Sequence, residues 1–313
     1  MPSQTTKAAG SQWSPATSLN RQLTLADGRK LEYTDNGVES SNTLIFHHGT
    51  TIGFDVWNAW LKLCLESGVR AVALNRPGVG ASTRKPGRRM ADDVSDVREL
   101  IEHLEVERFV SVGWSGGGGR ALGSAFIDGC VGVHTIAGIP SQDPNDPRWM
   151  AAVSLERHEK AQINRADFEA LLKTRSANFD EEKDVTSAFM LADLEQYLPR
   201  FADFKDEYTV FADDFARSIR VALANGPEAD ADDYAANIHL WGFDIDQINK
   251  PVTIWHGDLD EDVEIQYGEY NQSQIPGSKF VRLEGLGHID IMVEARDAIL
   301  KGAIDSLQNS ENH

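Results

Sequence analysis

Cysteine is almost absent from this chain: Cys64 and Cys130 are the only two in 313 residues. Both sit in apolar contexts. They form neither a metal-ligand pair nor a disulfide framework, and they read as buried free thiols in a reducing compartment. Long apolar runs are missing too, and no stretch approaches the ~20 residues needed to cross a bilayer. Met1 to Asn20 is polar, rich in Ser, Thr and Gln, and lacks the apolar core of a secretory signal. Residues 1–20 are therefore expected to be a flexible tail, with Asn309 to His313 as a second loose end, and the location to be cytoplasmic. Positive charge is scarce: 30 Lys and Arg stand against 49 Asp and Glu, a formal net charge of −19. Such a surface repels nucleic acid and anionic membranes and excludes both as partners. The acid excess is concentrated between Ser141 and Lys250, with 23 acidic and 12 basic residues, and is expected to form a solvated, solubility-keeping face. Neither a metal nor a cofactor is expected.

What the chain does have is alternation. Arg21 to Tyr33 alternates polar and apolar residues around Asp27-Gly28, a hairpin signal. Thr43 to His47 reads as a strand leading into His48-Gly49-Thr50-Thr51. Val56, Trp57, Trp60, Leu61, Cys64 and Leu65 share one helical face, which Gly68 ends. Val69 to Leu74 is a buried strand closed by Asn75-Arg76-Pro77-Gly78-Val79-Gly80. Asp92 is a candidate cap for a helix carrying Val94, Val97, Ile101 and Leu104 on one face. Arg108 to Val112 and Val131 to Ala137 are further strands. The pattern breaks at Pro140 to Pro147, and no strand is predicted from Arg148 to Phe243. In their place stand helical candidates with Phe168, Leu171 and Leu172; with Val185, Phe189 and Ala192; and with Phe211, Phe215, Ile219 and Ala222. Alternation resumes with strands at Pro251 to His256 and Lys279 to Leu283, and a last helix carries Ile299, Leu300, Ala303, Ile304 and Leu307. Strands separated by helix-length segments predict an α/β fold with a mostly parallel sheet flanked by helices. Residues 21–140 and 244–308 are its core, interrupted by a helical insertion over residues 141–243.

The chemistry concentrates at Gly113-Trp114-Ser115-Gly116-Gly117, a G-x-S-x-G run between a predicted strand and a predicted helix. A serine on so sharp a turn has its hydroxyl pushed out above the sheet, and the crowded backbone requires flanking glycines. A serine hydroxyl is a weak nucleophile near neutral pH and needs a base that is itself oriented by an acid. Among nine histidines, His288 lies in Gly285-Leu286-Gly287-His288, just after the last predicted strand. His256 sits inside a strand end, where supporting the backbone suits it better. His103, His134, His158 and His239 have no comparable setting and read as structural or exposed. Asp258, Asp260 and Asp262 all stand at the end of the preceding strand. Asp258 directly follows a glycine turn, where aspartate often bonds its own backbone. Asp260, two residues on, is where the loop can return toward His288. For the charge of a tetrahedral intermediate, the N–H groups of Gly116 and of Thr50 are the candidate donors, with Thr51 as the alternative to Thr50.

Phe46 to Thr50, Asn75 to Ser82, Gly113 to Gly117, His256 to Asp260 and Gly285 to His288 stand in an order that resembles the α/β-hydrolase superfamily, over roughly residues 20 to 308. The resemblance implies Ser115 as nucleophile, Asp260 as acid, His288 as base, and the amides of Thr50 and Gly116 as oxyanion hole. It also implies that the insertion is a cap closing the active site. Two positions depart from relatives: Asn75 stands where Asp is usual, and Glu261-Asp262 follow Asp260 where a proline or small residue is common. Serine at the elbow argues against the epoxide hydrolases and haloalkane dehalogenases, in which an aspartate attacks.

The function expected on this basis is a carboxylesterase-like serine hydrolase. It would cleave a small carboxylic ester or lactone through an acyl-serine intermediate, with a small-molecule substrate as its partner. The same triad also serves carbon–carbon bond hydrolases, lyases and aminopeptidases of the proline iminopeptidase type, and the fold alone serves non-catalytic receptors. Thr51, Trp114, Trp149, Met150, Phe189, Phe215 and Trp241 are the candidate lining of the substrate cleft.

Overall fold

The computed structural model describes residues 20–309, apart from 144 and 178 and the side chains of 155–158. All of the expected N-terminal tail but Asn20 lies outside the described residues, as do residues 310–313; Asn309 closes the last helix.

Among the described residues eight strands form one sheet. They are β1 (Arg21–Thr24), β2 (Lys30–Asp35), β3 (Asn42–His47), β4 (Arg70–Leu74), β5 (Arg108–Trp114), β6 (Cys130–Ile136), β7 (Val252–Gly257) and β8 (Lys279–Leu283). Their order is β1-β2-β4-β3-β5-β6-β7-β8. β1 and β2 form the antiparallel hairpin and β2 runs antiparallel to β4; every later pairing is parallel. The chain steps from β3 outward to β4 and then back across to β5. The carboxyl ends of β3 and β5 thus flank the point where strand order reverses, the place where open α/β sheets bind ligands. His47 pairs with Gly113 there, so the loops after both strands start side by side.

The parallel strands β3 to β7 are largely buried on both faces, which is why they read as near-continuous apolar runs, whereas the edge strand β8 is not. Leu44, Phe46, Val110 and Val112 pack on one face with Trp57, Trp60, Ile299 and Ala303. Ile45, Val72, Phe109 and Val133 pack on the other with Val94, Val97 and Ile101. The covering helices include α1 (Asn58–Glu66), α2 (Met90–His103), α3 (Gly117–Ser124) and the last helix, which carries Ile299 and Ala303. Two local readings are corrected. Val56 and Trp57 belong to a short helical turn, Phe54–Trp57, that precedes α1. The N-cap of α2 is Arg89, not Asp92; Asp92 sits one turn into the helix and its carboxylate accepts the Arg89 N–H at 2.7 Å.

Between β6 and β7 run α4 (Pro147–Ala152), α5 (Leu155–Ala166), α6 (Phe168–Ser176), α7 (Phe179–Glu182), α8 (Ser187–Tyr197), α9 (Lys205–Leu223) and α10 (Pro227–Ile238). After β7 come α11 (Ile265–Gln274), α12 (Ile291–Glu294) and α13 (Arg296–Asn309). Gly226, at φ +88°, and Pro227 at the first helical position separate α9 from α10, the usual punctuation of a helix start. The acids of α10 do not form a solvated face. Asp230, Asp232 and Asp233 are buried and ion-paired with Arg175, Arg84 and Arg76. A buried carboxylate without such a partner would be destabilising by several kcal/mol, on the order of 3–5. Among the described residues no helix is long and apolar enough to cross a membrane.

Candidate active site

Ser115 directly follows β5 with φ +54°, a conformation that side chains rarely adopt. The strain is held from both sides. Its N–H donates to Ile136 O at 2.9 Å, and its carbonyl accepts from Gly118 N at 2.9 Å and Ile139 N at 3.2 Å. The flanking glycines are steric requirements. A Cβ on Gly113 would collide with the Gly117 carbonyl, and one on Gly117 with the His47 carbonyl. Only without those atoms can β3, β5 and α3 approach so closely.

The loop after β7 carries Asp260, which is buried. Its Oδ1 accepts from Asp262 N at 3.0 Å and Val263 N at 2.8 Å, and its Oδ2 lies 2.8 Å from His288 Nδ1. A carboxylate can only accept, so Nδ1 carries the proton and Nε2 is left as the basic nitrogen. Trp114 Nε1 donates to the His288 carbonyl at 3.2 Å, and the two rings lie 5.3 Å apart. Asp258 points elsewhere, accepting from Gly285 N at 2.7 Å and Arg282 Nε at 3.4 Å. His256 donates through Nε2 to Val263 O at 2.7 Å. Burial lowers its pKa, so it is a neutral strut for the Asp260 loop.

Thr50 and Gly116 meet where the loops after β3 and β5 converge. A Cβ on Gly116 would lie 3.3 Å from Thr50 N. Among the described residues neither backbone N–H donates to a protein acceptor. The peptide that carries the Thr50 N–H is held through its carbonyl: Gly49 O accepts from Arg76 Nη2 at 2.8 Å and from His48 Nδ1 at 2.7 Å. His48 Nε2 in turn accepts the Arg76 N–H at 3.2 Å. This ring is neutral, because burial and the nearby Arg76 hold its pKa well below the ordinary histidine range. Arg76 is paired with Asp233, as are Arg88 and Arg120, and the last two also pair with Asp93. Burial alone would raise the Asp233 carboxyl, but Arg76 and Arg120 outweigh it and hold it well below its usual range. Asn75 also gains its reason here. Its Oδ1 accepts the Phe54 N–H at 2.8 Å while its Nδ2 donates to Glu32 Oε2 at 2.9 Å. An aspartate at 75 would set two carboxylates against each other.

Ser115 and His288 line one cavity of about 820 Å³ with Thr50, Thr51, Trp114, Trp149 and Phe215. Met150, Phe189 and Trp241 are not part of it. Trp149 and Met150 are adjacent on α4, so they point about 100° apart; Trp149 packs on Tyr267 and Tyr270 while Met150 faces out. Phe189 is 64% exposed on α8. Trp241 is buried between Gly119 and Phe243 and donates to Asn237 O at 3.2 Å. Sequence reasoning missed Arg175, Tyr234 and Asn237, which do line the cavity. Arg175 donates to Asp230 Oδ2 and Thr51 Oγ1, both at 2.6 Å, with its guanidinium 5.1 Å from the Tyr234 ring centre. Polar residues scattered through helices carry no periodic signal that would have marked them.

A family model described as the alpha/beta hydrolase fold matches residues 42–295. The chain is 38% identical over 99 residues to a bifunctional esterase/perhydrolase from Acinetobacter calcoaceticus, covering 31% of this chain and 36% of that protein. It is 27% identical over 154 residues to a non-heme haloperoxidase from Rhodococcus erythropolis, covering 47% of this chain and 56% of that one. In neither case does the match reach two thirds of the relative's length. Among solved structures, a hydrolase from Pseudomonas aeruginosa superposes with a TM-score of 0.66 at 22% identity, over 92% of this chain and 98% of that one. A thermophilic esterase from Thermogutta terrifontis does so with a TM-score of 0.64 at 17% identity, over 93% and 99%. At such identities the likeness is one of fold.

Proposed function

The chain belongs to the α/β-hydrolase family, and from that premise we propose that it is a serine hydrolase cleaving a small carboxylic ester or lactone. The observation that carries this reading is the His288–Asp260 contact of 2.8 Å, made by a histidine that lines the same cavity as the strained Ser115. In the proposed reaction Ser115 Oγ attacks the ester carbonyl as His288 Nε2 takes its proton. Asp260 holds the imidazole and stabilises the imidazolium that forms. The carbonyl oxygen, now negative, receives the N–H groups of Thr50 and Gly116. Collapse of the intermediate breaks the carbon–oxygen bond, and His288 returns the proton to the departing alcohol. Water then attacks the acyl-serine with the same proton shuttle, freeing the acid and restoring the hydroxyl.

The cavity is of a size that suits a small molecule. The helices between residues 141 and 243 supply Trp149, Arg175 and Phe215 to its wall, which supports their role as a cap. An aminopeptidase of the proline iminopeptidase type would use cap acids to hold a substrate amine, and the buried cap acids Asp230, Asp232 and Asp233 are each paired with an arginine. Asp262 and Glu264, after β7, line the cavity, so the aminoacyl amides belong in the substrate panel. Esterase in the name of the Acinetobacter relative supports the ester reading. The two free, buried thiols suit a reducing compartment, and the cytoplasm is the proposed location.

The test is a substrate panel of chromogenic short-chain esters, lactones, aminoacyl amides and vinylogous diketone acids, run beside Ser115→Ala. Ester or lactone turnover that disappears in Ser115→Ala while the fold persists is expected. Turnover confined to the amides or diketone acids would move the reading to a peptidase or a carbon–carbon hydrolase.

A further inference from the structure

The two peptide segments proposed to form the oxyanion hole belong to the core, after β3 and after β5. A side chain from the inserted helices ties them together. Asn237, in the last turn of α10, is 4% exposed. Its Nδ2 donates to Thr50 Oγ1 at 2.8 Å. Its Oδ1 accepts a close hydrogen bond from Arg120 Nη1, which also donates to Gly116 O at 2.7 Å. A Cβ on Gly116 would lie 3.2 Å from Asn237 Nδ2, so the amide reaches the rim of the hole itself. One helical turn earlier, Asp233 pairs with Arg76 at 2.7 Å, and Arg76 holds Gly49 O, the carbonyl of the peptide that carries the Thr50 N–H. The same short stretch of α10 therefore grips both donor segments, one through Arg76 and one through Arg120.

We infer that Asn237 is a positioning residue of the oxyanion hole, so that docking of α10 sets the spacing of the Thr50 and Gly116 amides. The inference rests on the serine-hydrolase reading. The chemistry of an amide is what the position uses. It accepts from Arg120 and donates to Thr50 Oγ1 without bringing net charge near an oxygen that becomes negative. Leucine of similar size would do neither. Aspartate would keep Arg120 satisfied but would set a negative charge beside the forming oxyanion. Fold and catalysis consequently make opposite demands at this position, and this separates a positioning role from a packing one.

The experiment compares turnover of a matched oxoester and thionoester by the whole protein and by Asn237→Ala, Asn237→Asp, Thr50→Ser, Thr50→Val and the Thr50→Val/Asn237→Ala double variant. Sulfur accepts hydrogen bonds poorly, so the oxoester depends on the hole far more than the thionoester does. Asn237→Ala is expected to lower kcat on the oxoester by about 10- to 100-fold, with KM within about twofold and a smaller loss on the thionoester. Thr50→Ser keeps the hydroxyl that accepts from Asn237 and should therefore lose less oxoester turnover than Thr50→Val. The double variant should be no slower than Asn237→Ala, because the contact that Thr50→Val removes is already lost in Asn237→Ala, together with the one to Arg120. Asn237→Asp should melt closer to the wild type than Asn237→Ala does, yet turn over the oxoester more slowly. Equal losses on both esters, additive losses in the double variant, or an Asn237→Asp protein as active as the wild type would overturn the inference while leaving the hydrolase reading intact. A wild-type protein that leaves both esters and the lactones of the substrate panel uncleaved overturns that reading and the inference with it.

Discussion

His288 Nδ1 and Asp260 Oδ2 meet at 2.8 Å, while Asp258, two residues before Asp260, bonds the backbone of Gly285 instead. The two carboxylates therefore differ in what their removal should do. Asp260→Asn would offer an N–H where His288 needs an acceptor, turning the ring to the wrong tautomer. It is expected to lower kcat by about 10⁴-fold. Asp258→Asn keeps an acceptor for Gly285 and is expected to change kcat by less than about tenfold. Steady-state kinetics of the two variants on one ester decides between the carboxylates, and the reverse ranking would reassign the acid.

Gly117 and Gly132 make a pair of opposite steric standing. A Cβ on Gly117 meets backbone carbonyls of His47 and His48 that cannot move without separating β3 from α3, whereas one on Gly132 finds its nearest atom at an ordinary 3.5 Å. Gly117→Ala is expected to destabilise the fold by more than about 3 kcal/mol, and Gly132→Ala to change stability by less than about 1 kcal/mol. Urea unfolding of the two variants measures both. Equal effects would show that the close approach of β3 and α3 is not rigid.

Asp214 on α9 accepts from Asn58 Nδ2 at 2.9 Å and lies 3.5 Å from Arg217. Burial outweighs both contacts and pushes its carboxyl up to about 7. The folded protein thus binds a proton that the unfolded chain gives up near pH ~4. The stability this group contributes is complete below pH ~4 and is lost as pH rises through about 7. Asp214→Asn removes that dependence. Relative to the wild type, its stability is expected to improve by about 2–4 kcal/mol between pH ~4 and ~8, read from denaturant midpoints across that range. Parallel curves for the two proteins would contradict the proton uptake.

Phe215 and Phe189 were equal candidates for the cleft, but only Phe215 reaches it, packed 6.0 Å from Trp114 and 5.2 Å from Phe211. Phe215→Ala is expected to reduce kcat/KM by about tenfold or more on esters with an apolar acyl chain. Phe189→Ala, on the exposed side of α8, should leave kcat/KM within about twofold. A series of acyl-chain lengths run on both variants tests the assignment.

The parts of the molecule that were legible in the sequence are those with a local cause. Leu44 to His47 and Phe109 to Val112 read as strands because a strand covered on both faces must be apolar throughout. The turn at Ser115 was legible because its glycines answer to a steric need within a few residues. Asp260 and His288 were reached from chain order and strand ends. The acids of α10 were misread because burial depends on partners far away: Asp233 meets Arg76 across 157 positions in sequence, and nothing local to Asp-Asp-Tyr distinguishes a buried ion pair from a solvated face. Met150 and Trp241 were misplaced for a related reason, since an apolar residue on an inserted helix reports that something covers it and not what does. Asn237 carries no pattern at all; only the meeting of α10 with the loops after β3 and β5 gives its amide a task.

The central claim is that Ser115 is an activated nucleophile, and covalent labelling tests it most directly. The folded, ligand-free protein is treated with a fluorophosphonate, digested, and the modified peptide located by mass spectrometry while residual ester turnover is followed. A single adduct at Ser115 is expected, forming in step with loss of activity and far more slowly in Asp260→Asn. A folded protein that stays unlabelled at Ser115, or a Ser115→Ala variant that still cleaves esters at the wild-type rate, would contradict it.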